Sequence, residues 1–333
     1  MNIIFVGHRN PQFQTITEYI EQAFQASGHE VRFLEYRDYL LPGRLVHRLR
    51  SAEKLEGWRL GGRLKRLSEE FRPDLLFVNY GGGLPVSVVR AIGGATGACT
   101  VLWFADYPGN TTYQQRALQI APHYDLVAAQ GRDMVAALQK YGGVSVSWLP
   151  AAVDPSVYYP EENPEKRGVR FTGSWYRRRE ELIRALQGSP LVISGPGWKQ
   201  ASPINTAVIT SSGQRPEACR HHFNTAEISL NISLMKPWGE VPFSQVSPRV
   251  FEILACGGFL VSDRPADMLE LFTDGTHFAG FDGPGDLREV TRYYLDHPSE
   301  AETIARQGLA HVLAHHTWDH RVRQLMQLIE ERI

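Results

Sequence analysis

Short apolar runs recur along the chain, and each is trailed by a longer stretch whose hydrophobic positions repeat at helical spacing. Uninterrupted Val, Ile, Leu and Phe suit strands buried on both faces, so the alternation predicts parallel sheets covered by helices. Residues 3–6 read as the first strand, and Gly7 opens the loop after it. Asn10 and Pro11 supply a cap and a first-turn proline; Phe13, Ile16, Ile20, Ala23 and Phe24 then share one helical face, and Gly28 ends the helix. Further strands are predicted at 31–34, 75–79, 100–104, 126–129 and 144–148. A charged, Pro-containing stretch from Leu149 to Pro164 lacks periodicity and reads as a connection between domains. The alternation restarts at 169–172 and continues at 191–194, 207–210, 228–232 and 259–262, with an edge strand at 278–281 and helices from Pro284 onward.

The expected fold class is therefore α/β, with two Rossmann-like doubly wound domains facing each other across a cleft. Residues 1–150 form the first, 151–315 the second, and 316–333 a C-terminal helix packing back toward the N-terminal domain. A length of 333 residues supports two cores. With 43% hydrophobic residues the chain is not a disordered one. A formal net charge of -1 argues against a nucleic-acid partner, which calls for concentrated positive charge.

Cys99, Cys219 and Cys256 are too few and too scattered for a disulfide framework or a zinc site, which fits a cytoplasmic setting. No signal peptide is legible, and no run reaches the roughly 20 apolar residues that span a bilayer. Residues 44–66 stand out: Arg44, Arg48, Arg50, Lys54, Arg59, Arg63, Lys65 and Arg66 face only Glu53 and Glu56, with leucines and Trp58 interleaved. This is a solvated helical face, an anionic acceptor site, or a peripheral contact with anionic lipid head groups.

Ligands of doubly wound folds bind beyond the carboxyl ends of the strands. The most informative such segment runs from Ser247 to Gly258. Ser247 caps a short helix, Pro248 occupies its first position, and Gly257 with Gly258 ends it. Arg249 then lies in the first turn, where the helix dipole disfavours a cation. A bound anion would account for it, since a diphosphate there meets free amides as well as the guanidinium. Glu252 follows about 5 to 6 Å along the axis, an offset that suits a carboxylate accepting from ribose hydroxyls. The competing reading is an Arg249 to Glu252 surface pair worth a few tenths of a kcal/mol. Local pattern leaves both open.

The run Ser247-Pro248-Arg249-Val250-Phe251-Glu252-Ile253-Leu254-Ala255-Cys256-Gly257-Gly258 resembles the signature of the CgeB-like glycosyltransferases, relatives of glycosyltransferase family 4. The likeness extends through Leu271-Phe272, Tyr293 to Pro298, Gly308 and His316 to Arg321, and upstream to Trp148 to Asp154, Phe171 to Trp175 and Leu230 to Ser233. It implies a GT-B fold in which the C-terminal domain binds a nucleoside-diphosphate sugar and the N-terminal domain binds the acceptor. It also implies that Glu252 holds the donor ribose with Arg249 beside the diphosphate. One departure is visible: such enzymes carry a glutamate eight positions before Glu252, where this chain has Ser244. Retention of anomeric configuration is favoured by the resemblance and loses one of its supports at Ser244.

Other donor-side candidates follow from the fold. Gly173 and Ser174 permit close backbone approach after a strand, and Arg178, flanked by Arg177 and Arg179, could reach phosphates. Gly195 and Trp198 would line a nucleobase pocket or simply form a glycine turn over a core tryptophan. Lys236 and Trp238 sit in the loop before the Arg249 helix. On the acceptor side, His8 and Asp106 each follow a strand and are the candidate general bases, with Tyr80 and the Gly81-Gly82-Gly83 run nearby in sequence. Those glycines lack the Lys-Ser/Thr of a phosphate loop.

No Asp-x-Asp motif or His/Cys cluster suggests a metal, so no cofactor is expected beyond the nucleotide sugar as co-substrate. Departing diphosphate would be stabilised by the helix N-terminus and Arg249. The acceptor class is open. The expected activity is glycosyl transfer, against a nucleotide-sugar epimerase or hydrolase of the same fold, or a non-catalytic nucleotide-sugar-binding protein.

Overall fold

The computed structural model describes residues 1–40, 50–79, 84–105, 119–202, 204, 207–210, 215–234 and 243–331. The chain divides into two units, Met1–Pro150 together with Trp318–Ile333, and Ala151–Thr317. Among the described residues the first unit contains β1 (Asn2–Gly7), α1 (Ile16–Ala26), β2 (Glu30–Glu35), α2 (Arg50–Phe71), β3 (Leu75–Asn79), α3 (Val86–Thr96), β4 (Cys99–Phe104), β5 (Leu126–Ala129), α4 (Arg132–Gly142) and β6 (Val146–Trp148). The second contains β7 (Val169–Thr172), α5 (Arg177–Arg184), β8 (Leu191–Ser194), β9 (Ala207–Thr210), α6 (Pro216–Asn224), β10 (Ile228–Asn231), α7 (Pro248–Ala255), β11 (Leu260–Ser262), α8 (Ala266–Leu271), β12 (Ala279–Gly280), α9 (Pro284–Asp296) and α10 (Pro298–His315). The last helix, α11 (Trp318–Glu330), belongs to the first unit.

In the first unit the parallel sheet has the order β2-β1-β3-β4-β5-β6. Every residue of β3 and β5 is buried, which is why their sequences are unbroken apolar runs. Alternation along β1 divides its side chains between two helical layers. Ile4 and Val6 join Leu60 and Leu64 of α2, Val89 and Ile92 of α3 and Leu138 of α4. On the other face Phe5 meets Phe24 of α1 and Phe77 of β3 edge-to-face, with centroids 6.4 and 5.1 Å apart. The terminal helix α11 packs on α1. Trp318 rests edge-on against Trp103 at 5.7 Å, and Arg321 donates from Nε to the Pro150 carbonyl at 3.0 Å.

The first helix begins later than its proline predicts. Glu18 accepts from the Thr15 amide at 2.8 Å and completes a capping box that starts α1 at Ile16. Asn10 instead accepts from the Gln12 amide in a local turn.

In the second unit the parallel sheet runs β12-β11-β10-β7-β8-β9. Chain order reverses direction between β7 and β10, the switch point at which doubly wound sheets leave a crevice beyond their carboxyl edge. The stretch after Leu149, expected as an aperiodic connection, is packed into this unit. Val153 forms a parallel bridge with Thr317, and Tyr158 is buried with its ring 6.5 Å from that of Phe223. Arg220 donates to the Val157 carbonyl and Asn224 to that of Tyr159. These side chain to backbone bonds replace a strand ladder, so no periodicity announces them.

Candidate functional site

The crevice of the second unit is built from the loops that follow β7, β8, β10 and β11. Gly173, directly after β7, receives the Trp198 Nε1 proton on its carbonyl at 2.8 Å, while its amide donates to Ser194 at 2.7 Å. Gly195 sits at φ +140°, and a Cβ there would lie 2.3 Å from the Gly173 carbonyl oxygen. Only glycine fits where the two loops press together. Trp198 is buried in the core, edge-on to Phe171 at 5.8 Å. Its indole braces the loops from below, which corrects the expectation that it lines a nucleobase pocket. Trp175, half-buried with Nε1 donating to Glu180, is the aromatic residue at the rim of these loops.

Three consecutive arginines open α5 and meet three different fates. Arg177 is exposed and pairs with Glu181 at 3.0 Å. Arg178 is half-buried and donates to Asp263 at 2.9 Å; Asp263, after β11, also accepts from the Ser233 amide and hydroxyl. Arg179 is buried and donates through Nε and Nη2 to the Ile232 carbonyl and through Nη1 to that of Ser174. It thereby joins the loops after β7 and β10, with no carboxylate among its hydrogen-bond acceptors in the described residues. Desolvation, with the Arg249 charge second, brings its guanidinium down to about 10. Thus Arg178, the arginine singled out from the sequence, is held by a carboxylate, and Ser174 contributes its backbone oxygen.

Helix α7 enters the crevice from the next crossover. Ser247 caps it, accepting weakly from the Arg249 amide at 3.4 Å, and Pro248 occupies the first turn. Arg249 is half-buried, and its Nε is shielded from solvent without a hydrogen-bond partner among the described residues. No Arg249 to Glu252 ion pair forms among the described residues, so the surface-pair reading fails. Glu252 instead takes a hydrogen bond from Tyr158. Desolvation holds its carboxyl above the usual carboxylate range, opposed by Arg249 and by that hydrogen bond. Cys219 lies within electrostatic reach of both residues, and burial pushes its thiol up to about 12.

Ser244, where the resemblance leads one to expect a glutamate, donates from its hydroxyl to buried Asp267 at 3.1 Å, while the Asp267 amide donates to the Ser244 carbonyl. A carboxylate thus stands beside this position, contributed by α8.

In the first unit, His8 follows β1. Its Nδ1 lies 3.0 Å from Glu35 Oε1, and Glu35 also accepts from the amides of Arg9 and Arg37. A carboxylate on Nδ1 orients the ring and leaves Nε2 for proton transfer. Asp106, Tyr80, the glycines 81–83, Lys236 and Trp238 lie outside the described residues. No group of three or more metal-ligating side chains occurs among the described residues.

A family model described as glycosyl transferase-like matches residues 177–327. The spore protein CgeB of Bacillus subtilis is 21% identical over 266 residues, 75% of this chain and 81% of that protein. Sucrose-phosphate synthase from Thermosynechococcus elongatus superposes with a TM-score of 0.74 at 13% identity, over 99% of this chain and 98% of that one. HepE of Anabaena, solved in complex with UDP and glucose, gives 0.69 at 12% identity over 99% and 100% of the two chains. At such identities the solved structures establish the fold, which is GT-B.

Proposed function

We propose that the chain is a CgeB-like glycosyltransferase of the GT-B fold, and that its second unit binds the nucleoside-diphosphate sugar at the Arg249 corner. The observation that carries this reading is the Arg249 Nε, shielded and without a hydrogen-bond partner among the described residues, at a helix N-terminus and within electrostatic reach of Arg179, whose own hydrogen bonds among those residues go to carbonyls. Buried donors without partners are rare and call for an explanation. Two neighbouring cations with one orphaned donor are explained by a dianion that the second unit awaits.

The diphosphate would accept from the Arg249 guanidinium at the N-terminus of α7, and the ribose hydroxyls would donate to Glu252, already oriented by Tyr158. When the anomeric carbon–oxygen bond breaks, its electron pair stays on the β-phosphate. The added charge is met by donors already in place, so the transition state gains more than the ground state. These fixed cations supply the stabilisation that a metal would otherwise provide, and turnover should survive chelation with EDTA. The acceptor hydroxyl would lose its proton to His8, held by Glu35. HepE is solved with UDP and glucose, which makes UDP the first donor fragment to test here. The anomer of the product, read by NMR, decides between retention with Ser244 and Asp267 beside the donor sugar and direct inversion with His8 as base.

Thermal unfolding with and without UDP tests the site. Ligand at 100 times its Kd adds about 2.7 kcal/mol to wild-type stability. Arg249→Ala and Glu252→Ala should each remove most of that gain while folding normally; an undiminished gain in both places the nucleotide elsewhere.

A further inference from the structure

The helical layer of the first unit holds a cavity of about 730 Å³ between α2 and α3, a volume typical of small-molecule sites. Its floor is apolar, with Val88, Ala91, Ile92 and Ala95 of α3 facing Gly57 and Gly61 of α2. The helices approach closely at Gly61, where a Cβ would fall 2.6 Å from Val88 Cγ2. Away from that point the space stays open, because Ala91 and Ala95 are exposed and a Cβ on Gly62 would meet nothing within 4 Å.

The rim has the opposite character. Lys54 and Lys65 both line the cavity and both are exposed. Lys54 has no carboxylate partner among the described residues, and Lys65 reaches Glu69, the one acidic lining residue, only at 3.9 Å. Trp58, also lining the cavity, is 78% exposed, and Leu55 beside it is 52% exposed. Large apolar side chains at a cation-rimmed opening cost free energy in water and gain it against a ligand that is apolar at one end and anionic at the other. Helices of a parallel β/α unit run opposite to its strands, so the Lys54, Leu84 and Pro85 end of the groove lies at the carboxyl edge of the sheet. His8 stands on that same edge.

We propose that this groove binds an anionic amphiphile, with the apolar chain between α2 and α3 and the anionic head on Lys54. The assignment is independent of the donor site in the second unit. Dodecyl phosphate, kept below its micelle-forming concentration and titrated into the full chain, should bind saturably at one site by calorimetry and shift tryptophan emission to the blue. Trp58→Phe should reduce the emission shift and leave a calorimetric signal. Ala91→Phe fills the groove from an exposed position and should weaken binding at least tenfold at unchanged unfolding temperature. Ala95→Phe, one turn on, repeats that test. Lys54→Glu should weaken dodecyl phosphate at least fivefold and leave neutral dodecyl maltoside unaffected.

Absence of saturable binding, or wild-type affinity in both phenylalanine variants, overturns the site. Wild-type affinity for dodecyl phosphate in Lys54→Glu overturns the placement of the head. Sedimentation with phosphatidylglycerol and phosphatidylcholine vesicles separates the sources. Retention on the anionic vesicles that is lost in Ala91→Phe identifies a bilayer lipid, whereas monomer binding without vesicle retention identifies a free amphiphile. UDP stabilisation, measured on the same variants, should not move, so failure of either site leaves the other standing.

Discussion

The carboxyl edges of the two sheets share one plan and handle charge in opposite ways. At the edge of the first unit, cations have carboxylates: His8 with Glu35 and Arg9 with Glu21. At the edge of the second, Arg178 has Asp263 and Arg264 has Asp274 and Asp282, while Arg179 is held by carbonyls and Arg249 Nε has no partner among the described residues. A matched pair is complete before any ligand arrives, so its chemistry is proton handling. An unmatched, partly desolvated cation is incomplete, and the free energy spent on burying it returns only when an anion binds. The contrast fits the proposal that anions bind to the second unit and that protons are transferred in the first.

The largest expected effect tests whether Arg179 is framework or ligand contact. Arg179→Ala removes three hydrogen bonds to the Ile232 and Ser174 carbonyls and should lower folding stability by about 3 kcal/mol, seen as an earlier denaturation midpoint without UDP present. Unchanged stability would make it a second phosphate contact in place of a brace. Next, His8→Ala should cut turnover roughly 100-fold and leave UDP stabilisation intact. A loss of UDP binding there would erase the division between the units.

Glu252→Gln should act in two directions. The native carboxyl is raised above its ordinary 4.5 by desolvation. The folded state therefore holds its proton to higher pH than the unfolded chain does, and this group lowers stability as pH climbs from 4.5 through its native value. Removing it should raise apo stability at neutral pH and abolish that part of the pH dependence. The same variant should bind UDP more weakly, whereas in the wild type UDP affinity should decline as pH falls through the raised value. Smallest of all, Tyr158→Phe should weaken UDP by about 1 kcal/mol, with the Glu252 titration moved upward, since the hydrogen bond favours the anion. An unmoved titration would show that Tyr158 only packs.

Strands 75–79, 126–129, 169–172 and 191–194 coincide with their apolar runs because burial is enough to define them. The α7 helix was equally legible, its capping serine, first-turn proline and closing glycines being local signals. Residues 151–160 were not, since their order comes from Arg220, Asn224 and Thr317, far along the chain. Tyr158 was missed for that reason, with only its place in an apparent connection to mark it. Trp198 stood open between a pocket residue and a core tryptophan, because a tryptophan after two glycines looks the same in a sequence whether its ring faces ligand or core; burial decides for the core.

The order of apolar runs by itself determined two parallel sheets and the place of each strand to within a residue or two, and local capping signals determined the helix that carries Arg249 and Glu252. Only the tertiary structure decided which of Arg177, Arg178 and Arg179 is solvated, which is paired and which is buried. Those fates depend on acceptors such as the Ile232 carbonyl, 53 residues on from Arg179, and on Asp263, 85 residues on from Arg178. Local propensity sets backbone conformation over a few residues, whereas burial and charge compensation are settled by whichever distant groups the fold brings within 3 to 4 Å.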